Sequence, residues 1–173
     1  MLYNTQRFDD YAYMGICLSL ARKAAALGEV PVGAIVVHRP SPDQAYIIGR
    51  GFNLRESTQD PSAHAEVIAL RQASQTLGYW RMVDCDLYVT LEPCIMCTGA
   101  LVNSRIERVI YGCQDPKAGA CHSLYQIPQD HRLNHRYPCT PNIRADESRD
   151  LLQSFFRACR QRKKRARKDH KRI

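Results

Sequence analysis

The spacing of apolar side chains predicts an amphipathic helix over residues 8–27. Small and apolar residues recur there at helical spacing, namely Met14, Cys17, Leu18, Ala21 and Ala25. Such a repeat forms one buried helical face. Asp9 and Asp10 fall in the expected first turn, and Gly28 follows the last turn, where glycine commonly ends a helix. The first predicted element is therefore a helix with one apolar side.

Runs rich in β-branched residues predict the next elements. Residues 32–37 and 46–51 are predicted to form two short strands. Segment 39–45, rich in Pro, Ser and Asp, is predicted to be the loop of a hairpin between them. A helix is predicted over residues 60–77, because Pro61 suits the first helical position.

A strand over 86–91, a helix over 94–103 and a strand over 108–111 follow in turn. This order implies a right-handed crossover between two parallel strands. Segment 113–145 contains four prolines and is predicted to consist mostly of loops.

A last helix is predicted to start near Asp146 and to continue into a basic C-terminal segment. Its apolar residues, expected to point inward, are Leu151, Leu152, Phe155, Phe156 and Cys159. Strands alternating with helices indicate an α/β sandwich, a sheet covered by helices.

The charge of the chain is concentrated at one end. Residues 157–173 hold ten of the 25 Lys and Arg residues and one of the 17 acids, a net charge of +9 that leaves the rest of the chain at −1. A length of 173 residues fits one domain, so we expect a compact domain over 1–156 and a basic helical extension over 157–173. No apolar run is long enough to span a membrane, and the first residues do not resemble a signal peptide. We therefore expect a cytoplasmic protein.

Cysteine usage changes this picture. The chain has eight cysteines; six stand singly, and a lone cysteine usually behaves as a small buried hydrophobic residue. Cys94 and Cys97 are different, because two cysteines three residues apart on a helix share one face and can bind one ion. Pro93 places them in the first turn, where free backbone N–H groups stabilise thiolate sulfur.

A third ligand is expected from His64. Two thiolates and one neutral imidazole match the borderline-soft character of Zn²⁺. We find no fourth ligand at suitable spacing, and three protein ligands leave a coordination position for water, as in catalytic zinc sites. Glu66 lies about 200° from His64 around an ideal helix. We therefore expect it to carry protons beside the ion rather than to bind it.

The same residues allow less specific interpretations. A Cys-x-x-Cys pair alone is also typical of redox proteins, and His-x-Glu alone is nearly uninformative. The redox interpretation leaves His64 and Glu66 without a role, whereas zinc chemistry uses all four residues.

Together the motifs resemble the established signature H-x-E…P-C-x-x-C of the zinc-dependent nucleoside and nucleobase deaminases. Five further blocks are similar to the bacterial tRNA-specific adenosine deaminases. They are residues 60–66, 88–94, 115–119, 134–136 and the helix over 146–157 with its Phe-Phe pair. The resemblance covers about residues 10–160. Pro116, Ala118 and the longer hairpin at 39–45 depart from the bacterial pattern.

The resemblance implies a cytidine deaminase fold, a three-layer α/β/α sandwich with a central mixed sheet, and one zinc ion per subunit of a homodimer. It implies that a zinc-bound hydroxide attacks C6 of the wobble adenosine in a tRNA anticodon stem-loop, expected in a tRNA for arginine, while Glu66 shuttles protons. The product is inosine. The residues that it assigns to substrate binding are Asn53, Val30, Pro31, Val32, Leu91, Pro93, Asp115, Lys117, Phe156 and Arg157.

Two other functions stay open at this point. A deaminase of free cytidine or guanine would use the same chemistry, and a non-catalytic RNA-binding protein with a structural zinc would have no need of Glu66. Tyr111, Phe155 and Phe156 are candidates for stacking on neighbouring bases, with core packing as the alternative for Phe155.

Overall fold

The computed structural model describes residues 5–170 and the side chains of residues 10–167. The strands are β1 (Gly33–Ser41), β2 (Gln44–Phe52), β3 (Cys85–Leu91), β4 (Arg108–Cys113) and β5 (Cys139–Thr140). The helices are α1 (Thr5–Ala26), α2 (Arg55–Thr58), α3 (Ala65–Leu77), α4 (Ile95–Ser104) and α5 (Ala145–His170), with a 3₁₀ turn at Ile127–Gln129. None of these helices within residues 5–170 combines the length and apolar character that crossing a membrane requires.

The five strands form one mixed sheet in the order β2-β1-β3-β4-β5. Strand β1 is antiparallel to β2 and β3, whereas β3, β4 and β5 run parallel. The predicted connection of two parallel strands through a helix is confirmed, since α4 connects β3 to its parallel neighbour β4. The carboxyl ends of β2, β3 and β4 therefore share one sheet edge with the amino end of β1. We call this edge the site edge.

Successive residues of the strands face different helix layers. The first face packs on α1 and consists of Ile35, Val37, Tyr88 and Ile110. The opposite face packs on α3 and α4 and includes Ala34, Val36, Leu87, Val89 and Val109. Helix α5 packs against β4 and α1. The result is the predicted three-layer α/β/α sandwich with a mixed sheet at its centre.

Two glycines of β2 allow α3 to lie close to the sheet. A Cβ atom at Gly51 would collide with the backbone of Ala65, and one at Gly49 would collide with that of Ala69. Only residues without a side chain permit this approach of helix and strand backbones. The close packing fixes the first turn of α3 relative to the site edge.

A buried ion network secures α1 at the other end of the sheet. Arg108 donates hydrogen bonds to both oxygens of Asp10 at 3.0 and 2.9 Å and to Asp86 at 2.9 Å. Arg39 also donates to Asp86, at 3.0 Å, and the Tyr88 hydroxyl donates to Asp10 at 2.6 Å. Because every charge has a partner of opposite sign, burial of these carboxylates is tolerated.

The structure corrects three predicted details near the chain start. Helix α1 begins at Thr5, so Asp10 lies beyond its first turn and serves the ion network instead. The segment 39–45 is not a loop, because β1 and β2 extend until only Pro42 and Asp43 remain as the turn. The predicted helix over 60–77 starts at Ala65. Before it, Asp60 folds into a turn by accepting hydrogen bonds from the Ser62 backbone and hydroxyl, both at 2.7 Å.

The C-terminal half follows its prediction with one exception. Segment 113–145 consists mostly of loops, as expected, and α5 runs from Ala145 without a break into the basic segment. Phe156 was predicted to point inward, but 43% of it is exposed. Leu151, Leu152 and Phe155 are partly buried. Phe156 therefore stays partly open to solvent instead of joining the core.

Candidate functional site

Two helix N-termini converge behind the site edge, and each presents a predicted metal ligand. His64 is the N-cap residue of α3 and Cys94 that of α4, both in extended backbone conformation. Strand β3 ends at Leu91, so Glu92 and Pro93 form the short connection to Cys94. An N-cap residue lies at the end of its helix, so the side chains of His64 and Cys94 can face each other between α3 and α4.

The three predicted ligands form one cluster. The Nδ1 atom of His64 lies 3.8 Å from the sulfur of Cys94 and 3.5 Å from that of Cys97, and all three donor atoms lie within 4.8 Å of one another. In a tetrahedral zinc site with usual bond lengths, sulfur and nitrogen ligands stand about 3.6 Å apart. Among the described residues this is the one group of three or more such side chains that could hold an ion. The donor set and its spacing therefore fit zinc.

The protonation behaviour of the cluster also fits a cation. A hydrogen bond from Cys97 lowers the pKa of Cys94 to about 4. The same interaction, with burial and the nearby Glu66 charge, raises the pKa of Cys97. The pKa of His64 is raised, chiefly by its hydrogen bond with Cys94. In the cluster without an ion, shared protons offset the negative charge of the ligands. A divalent cation would displace these protons and take over that role.

Glu66 lies beside the cluster in the first turn of α3. Its side chain is 4% exposed, and its carboxylate hydrogen-bonds with Cys97. Burial raises its pKa above the ordinary range. The carboxylate is not one of the three clustered donor groups, so it is adjacent to the ion position without completing a fourth ligand.

Asn53 links the end of β2 to the first turn of α3. Its Oδ1 atom accepts a hydrogen bond from the backbone N–H of Ala65 at 3.0 Å, and the backbone N–H of Asn53 donates to the carbonyl of Val32 at 3.1 Å. This contact fixes the orientation of the side-chain amide, because the oxygen must face the Ala65 N–H. The Nδ2 atom, the donor of the amide, consequently points away from that N–H.

A groove of about 660 Å³ runs from the site edge along α5. It brings together six of the ten predicted substrate-binding residues, namely Val30, Leu91, Asp115, Lys117, Phe156 and Arg157. The other four, Pro31, Val32, Asn53 and Pro93, are buried at the site edge rather than in the groove wall. We call this cavity the α5 groove.

The α5 groove is basic. Four cations line it, namely Lys117, Arg149, Arg157 and Arg160, against the single acid Asp115. Arg149 and Arg160 escaped the sequence prediction, and the helical spacing from Arg157 could have identified both. Arg149 also contacts Asp146 at 2.5 Å, on the exposed side of the helix.

The three stacking candidates separate in the structure. Tyr111 is fully buried, and its hydroxyl hydrogen-bonds with Nδ1 of His122 at 2.7 Å. The prediction that it stacks on a base is therefore wrong. Phe155 is partly buried and packs edge-on against Phe156 with ring centres 5.5 Å apart. Phe156 alone of the three lines the groove.

Two buried glutamates at the site edge were also missed. Glu29 is 1% exposed and accepts hydrogen bonds from the backbone N–H groups of Glu56 and Ser57 at 3.2 and 2.6 Å. It thereby holds α2 beside Asn53. Glu92, 2% exposed, holds the loop after β4. The available signal was the position of Glu92 between a predicted buried strand and a predicted helix. A buried acidic residue almost always has a partner.

Comparison with known proteins gives a consistent result. Residues 8–160 match the family of MafB19-like deaminases. The chain is 44% identical over 155 residues to a tRNA-specific adenosine deaminase of Haemophilus influenzae, covering 90% of this chain and 87% of that protein. The tRNA-specific adenosine deaminase of Bacillus subtilis is 42% identical over 160 residues, with coverage of 92% and 96%.

Solved structures agree with the sequence relatives. A tRNA:A34 deaminase, studied for A-to-I editing at the wobble position of transfer RNA, superposes with a TM-score of 0.76 at 37% identity over 82% of this chain and 99% of that one. The guanine deaminase of Bacillus subtilis superposes with a TM-score of 0.53 at 35% identity, over 60% and 63%. By its fold, its His-Cys-Cys cluster and its sequence, the chain belongs to the family of the tRNA-specific adenosine deaminases.

Proposed function

We propose that the protein hydrolyses the wobble adenosine of a tRNA anticodon to inosine and ammonia, with a tRNA for arginine as the first candidate. The observation that carries this proposal is the meeting of two features at the site edge. One is a three-ligand cluster with buried Glu66 beside it, and the other is the basic α5 groove. A deaminase of free bases has no use for the second feature.

Zinc is the cofactor that we propose for His64, Cys94 and Cys97, one ion per chain. When bound, it acidifies a water molecule so that the water can attack a carbon centre at neutral pH. Glu66 is placed to accept the proton of that water and to deliver it to N1 of the adenine ring. The same carboxylate then takes the proton of the new C6 hydroxyl and passes it to the amine, so that the C6–N bond breaks, ammonia leaves and the C6 carbonyl forms.

We propose that the base is read at the site edge. The fixed amide of Asn53 presents its N–H donors toward the ring, and Val30, Pro31, Val32, Leu91 and Pro93 form the apolar walls. A base in a flexible anticodon loop is already partly unstacked, so its extrusion into such a pocket costs less than from a duplex.

The RNA backbone is proposed to lie in the α5 groove and along the rest of α5, so that residues 157–173 act as an extension of the deaminase domain. Lys117 and Arg157 would contact phosphates, and the exposed Phe156 would stack on a flanking base. Helix α5 has 26 residues and is about 39 Å long. Its residues 160–167 are all exposed, so their charges are available to a partner. A tRNA substrate would place the reaction in the cytoplasm.

We also propose that the protein forms a homodimer. Two large apolar residues in the first turn of α4, Ile95 and Met96, are 51% and 39% exposed, and Leu124 and Tyr125 are about half exposed at 52% and 50%. Soluble monomers seldom leave such a group uncovered next to a functional site. Sedimentation of wild type and Met96→Glu tests this, with a shift of the variant toward monomer as the expected result.

The central test uses transcribed tRNA and a minimal anticodon hairpin, with inosine at the wobble base as the readout. We expect deamination of both RNAs, loss of activity with a chelator, and return of activity with zinc. Turnover of free guanine or cytidine without inosine in RNA would instead support the free-base deaminase.

Glu66→Gln separates a catalytic from a structural metal site. We expect the variant to keep its zinc and to lose about 10²–10⁴-fold in kcat, the usual contribution of a general acid–base. A variant that turns over normally, or that loses its metal, contradicts the role given to Glu66.

A further inference from the structure

Glu92 is the most heavily hydrogen-bonded carboxylate among the described residues. Its Oε1 atom accepts three backbone N–H groups, those of Cys121, His122 and Ser123, at 3.1, 2.7 and 2.9 Å. Its Oε2 atom accepts the N–H of Asp115 at 3.0 Å and the hydroxyl of Ser123. All five donors belong to the loop that follows β4, here called the 115–123 loop.

The same loop is tied to the start of the metal motif. The N–H of Ala120 donates to the carbonyl of Pro93 at 2.9 Å, and Cys94 pairs with Gly119 in an isolated β-bridge. A side chain at Gly119 would collide with the Glu92 carboxylate. The loop therefore wraps around Glu92, and its middle rests against the segment that carries Cys94.

The other end of the loop forms part of the α5 groove. Asp115 and Lys117 line the groove, and the Asp115 carboxylate accepts the N–H of Lys117 at 2.9 Å and that of Ala118 at 3.3 Å. Oε2 of Glu92 holds the Asp115 backbone from behind. Because both Glu92 oxygens are occupied by loop donors, this residue has no free acceptor to offer a substrate.

We propose that Glu92 is a positioning residue that holds the 115–123 loop in its RNA-binding conformation and thereby sets KM for RNA rather than kcat. The inference rests on the proposed function for its kinetic consequence, and on the hydrogen bonds alone for its structural one. A residue that acts this way alters binding of the whole RNA while the chemical step at the metal cluster continues.

The unequal use of the two oxygens allows a sharp variant. In Glu92→Gln the amide oxygen keeps the place of Oε1, where it accepts three N–H groups. The amide NH₂ then faces the N–H of Asp115, donor against donor. An unsatisfied buried donor is unfavourable, so the substitution releases the groove end of the loop and leaves the Cys94 end in place. Glu107→Gln is the matched control, because Glu107 is exposed and precedes β4 at the opposite sheet edge.

The test combines hydrogen exchange with steady-state kinetics on the zinc-loaded protein. We expect Glu92→Gln to speed exchange of the backbone N–H groups of Asp115, Lys117 and Ala118, to raise KM for the anticodon hairpin about tenfold and to leave zinc content and kcat near wild type. Glu107→Gln should match wild type in every measurement. Ser123→Ala, which removes one donor to Oε2, should lie between wild type and Glu92→Gln.

Three results would overturn the proposal: unchanged exchange at Asp115, Lys117 and Ala118, a fall in kcat at constant KM, or loss of zinc from Glu92→Gln. If wild type forms no inosine while the variant still speeds exchange at these amides, the proposed function fails and the loop-holding role stands. If Glu92→Gln does not fold, Ser123→Ala decides, since normal exchange and KM in that variant also refute the role.

Discussion

The exposed second half of α5, which includes residues 160–167, allows a quantitative test of the proposed RNA contact. At about 100° per residue, Lys164 and Arg167 fall on the same side of the helix as the groove-lining Arg149, Phe156 and Arg160. Arg162 and Arg165 lie on the opposite side, and Arg162 contacts the sulfur of Cys159 on its own helix at 3.3 Å. All four are exposed. Two double variants therefore remove the same charge from opposite sides of one helix.

Each lost phosphate contact lowers the slope of log affinity against log salt by about 0.7–0.9. We expect Lys164→Gln with Arg167→Gln to reduce the slope by about 1.4–1.8, so that the advantage of wild type shrinks roughly tenfold between about 50 and 200 mM salt. Arg162→Gln with Arg165→Gln should keep most of the wild-type slope. The assay is fluorescence anisotropy of a labelled anticodon hairpin over a salt series. Equal losses in both double variants would refute the assignment to one helix side, and no loss in either would refute RNA contact by this half of α5.

Further expectations concern stability. Gly51→Ala should lower the free energy of unfolding by about 1–3 kcal/mol, because the new Cβ collides with the backbone of Ala65; an unchanged Tm would contradict this. The buried hydroxyl of Ser148 has no hydrogen-bond partner among the described residues, so Ser148→Ala should raise stability by about 1 kcal/mol, and a lower Tm would show a hidden partner. Burial would raise the pKa of Glu92, but hydrogen bonds from Ser123 and the loop backbone hold it below its ordinary value of 4.5. The stabilisation is therefore present above about pH 4.5 and is lost as the pH falls below it. When the pH is lowered through this range, the Tm of Glu92→Gln should fall less than that of wild type.

The parts of the fold that depend on local pattern were predictable from the sequence. Runs of β-branched residues such as Ile35 and Val36 identify strands, because a strand covered by helices on both faces is apolar along its whole length. The pair Asp60-Pro61 is compatible with a turn as well as with a helix start. In the structure the hydrogen bonds of Asp60 with Ser62 form a turn there. Helix 60–77 was therefore placed too early.

The site residues also divide into those that a local sequence pattern identifies and those that depend on contacts between distant segments. His64, Cys94 and Cys97 could be found because ligand spacing is a local property of two helix starts. The burial of Tyr111 and the loop contacts of Glu92 arise from segments far apart in the chain, and no local pattern encodes them. Exposure of Phe156 depended on which side of α5 meets the sheet, and both sides carry apolar residues.

The cations of the groove stand on α5 and on one loop, whereas the ion ligands and Glu66 stand on α3 and α4. In the proposed function, phosphate binding thus belongs to α5 and this loop, and the chemistry belongs to α3 and α4. The two parts are joined where Ala120 donates to the carbonyl of Pro93 and Gly119 pairs with Cys94. Exchanging the exposed end of α5 for a helix of another length or charge would therefore change the basic surface and leave the residues of the metal cluster in place.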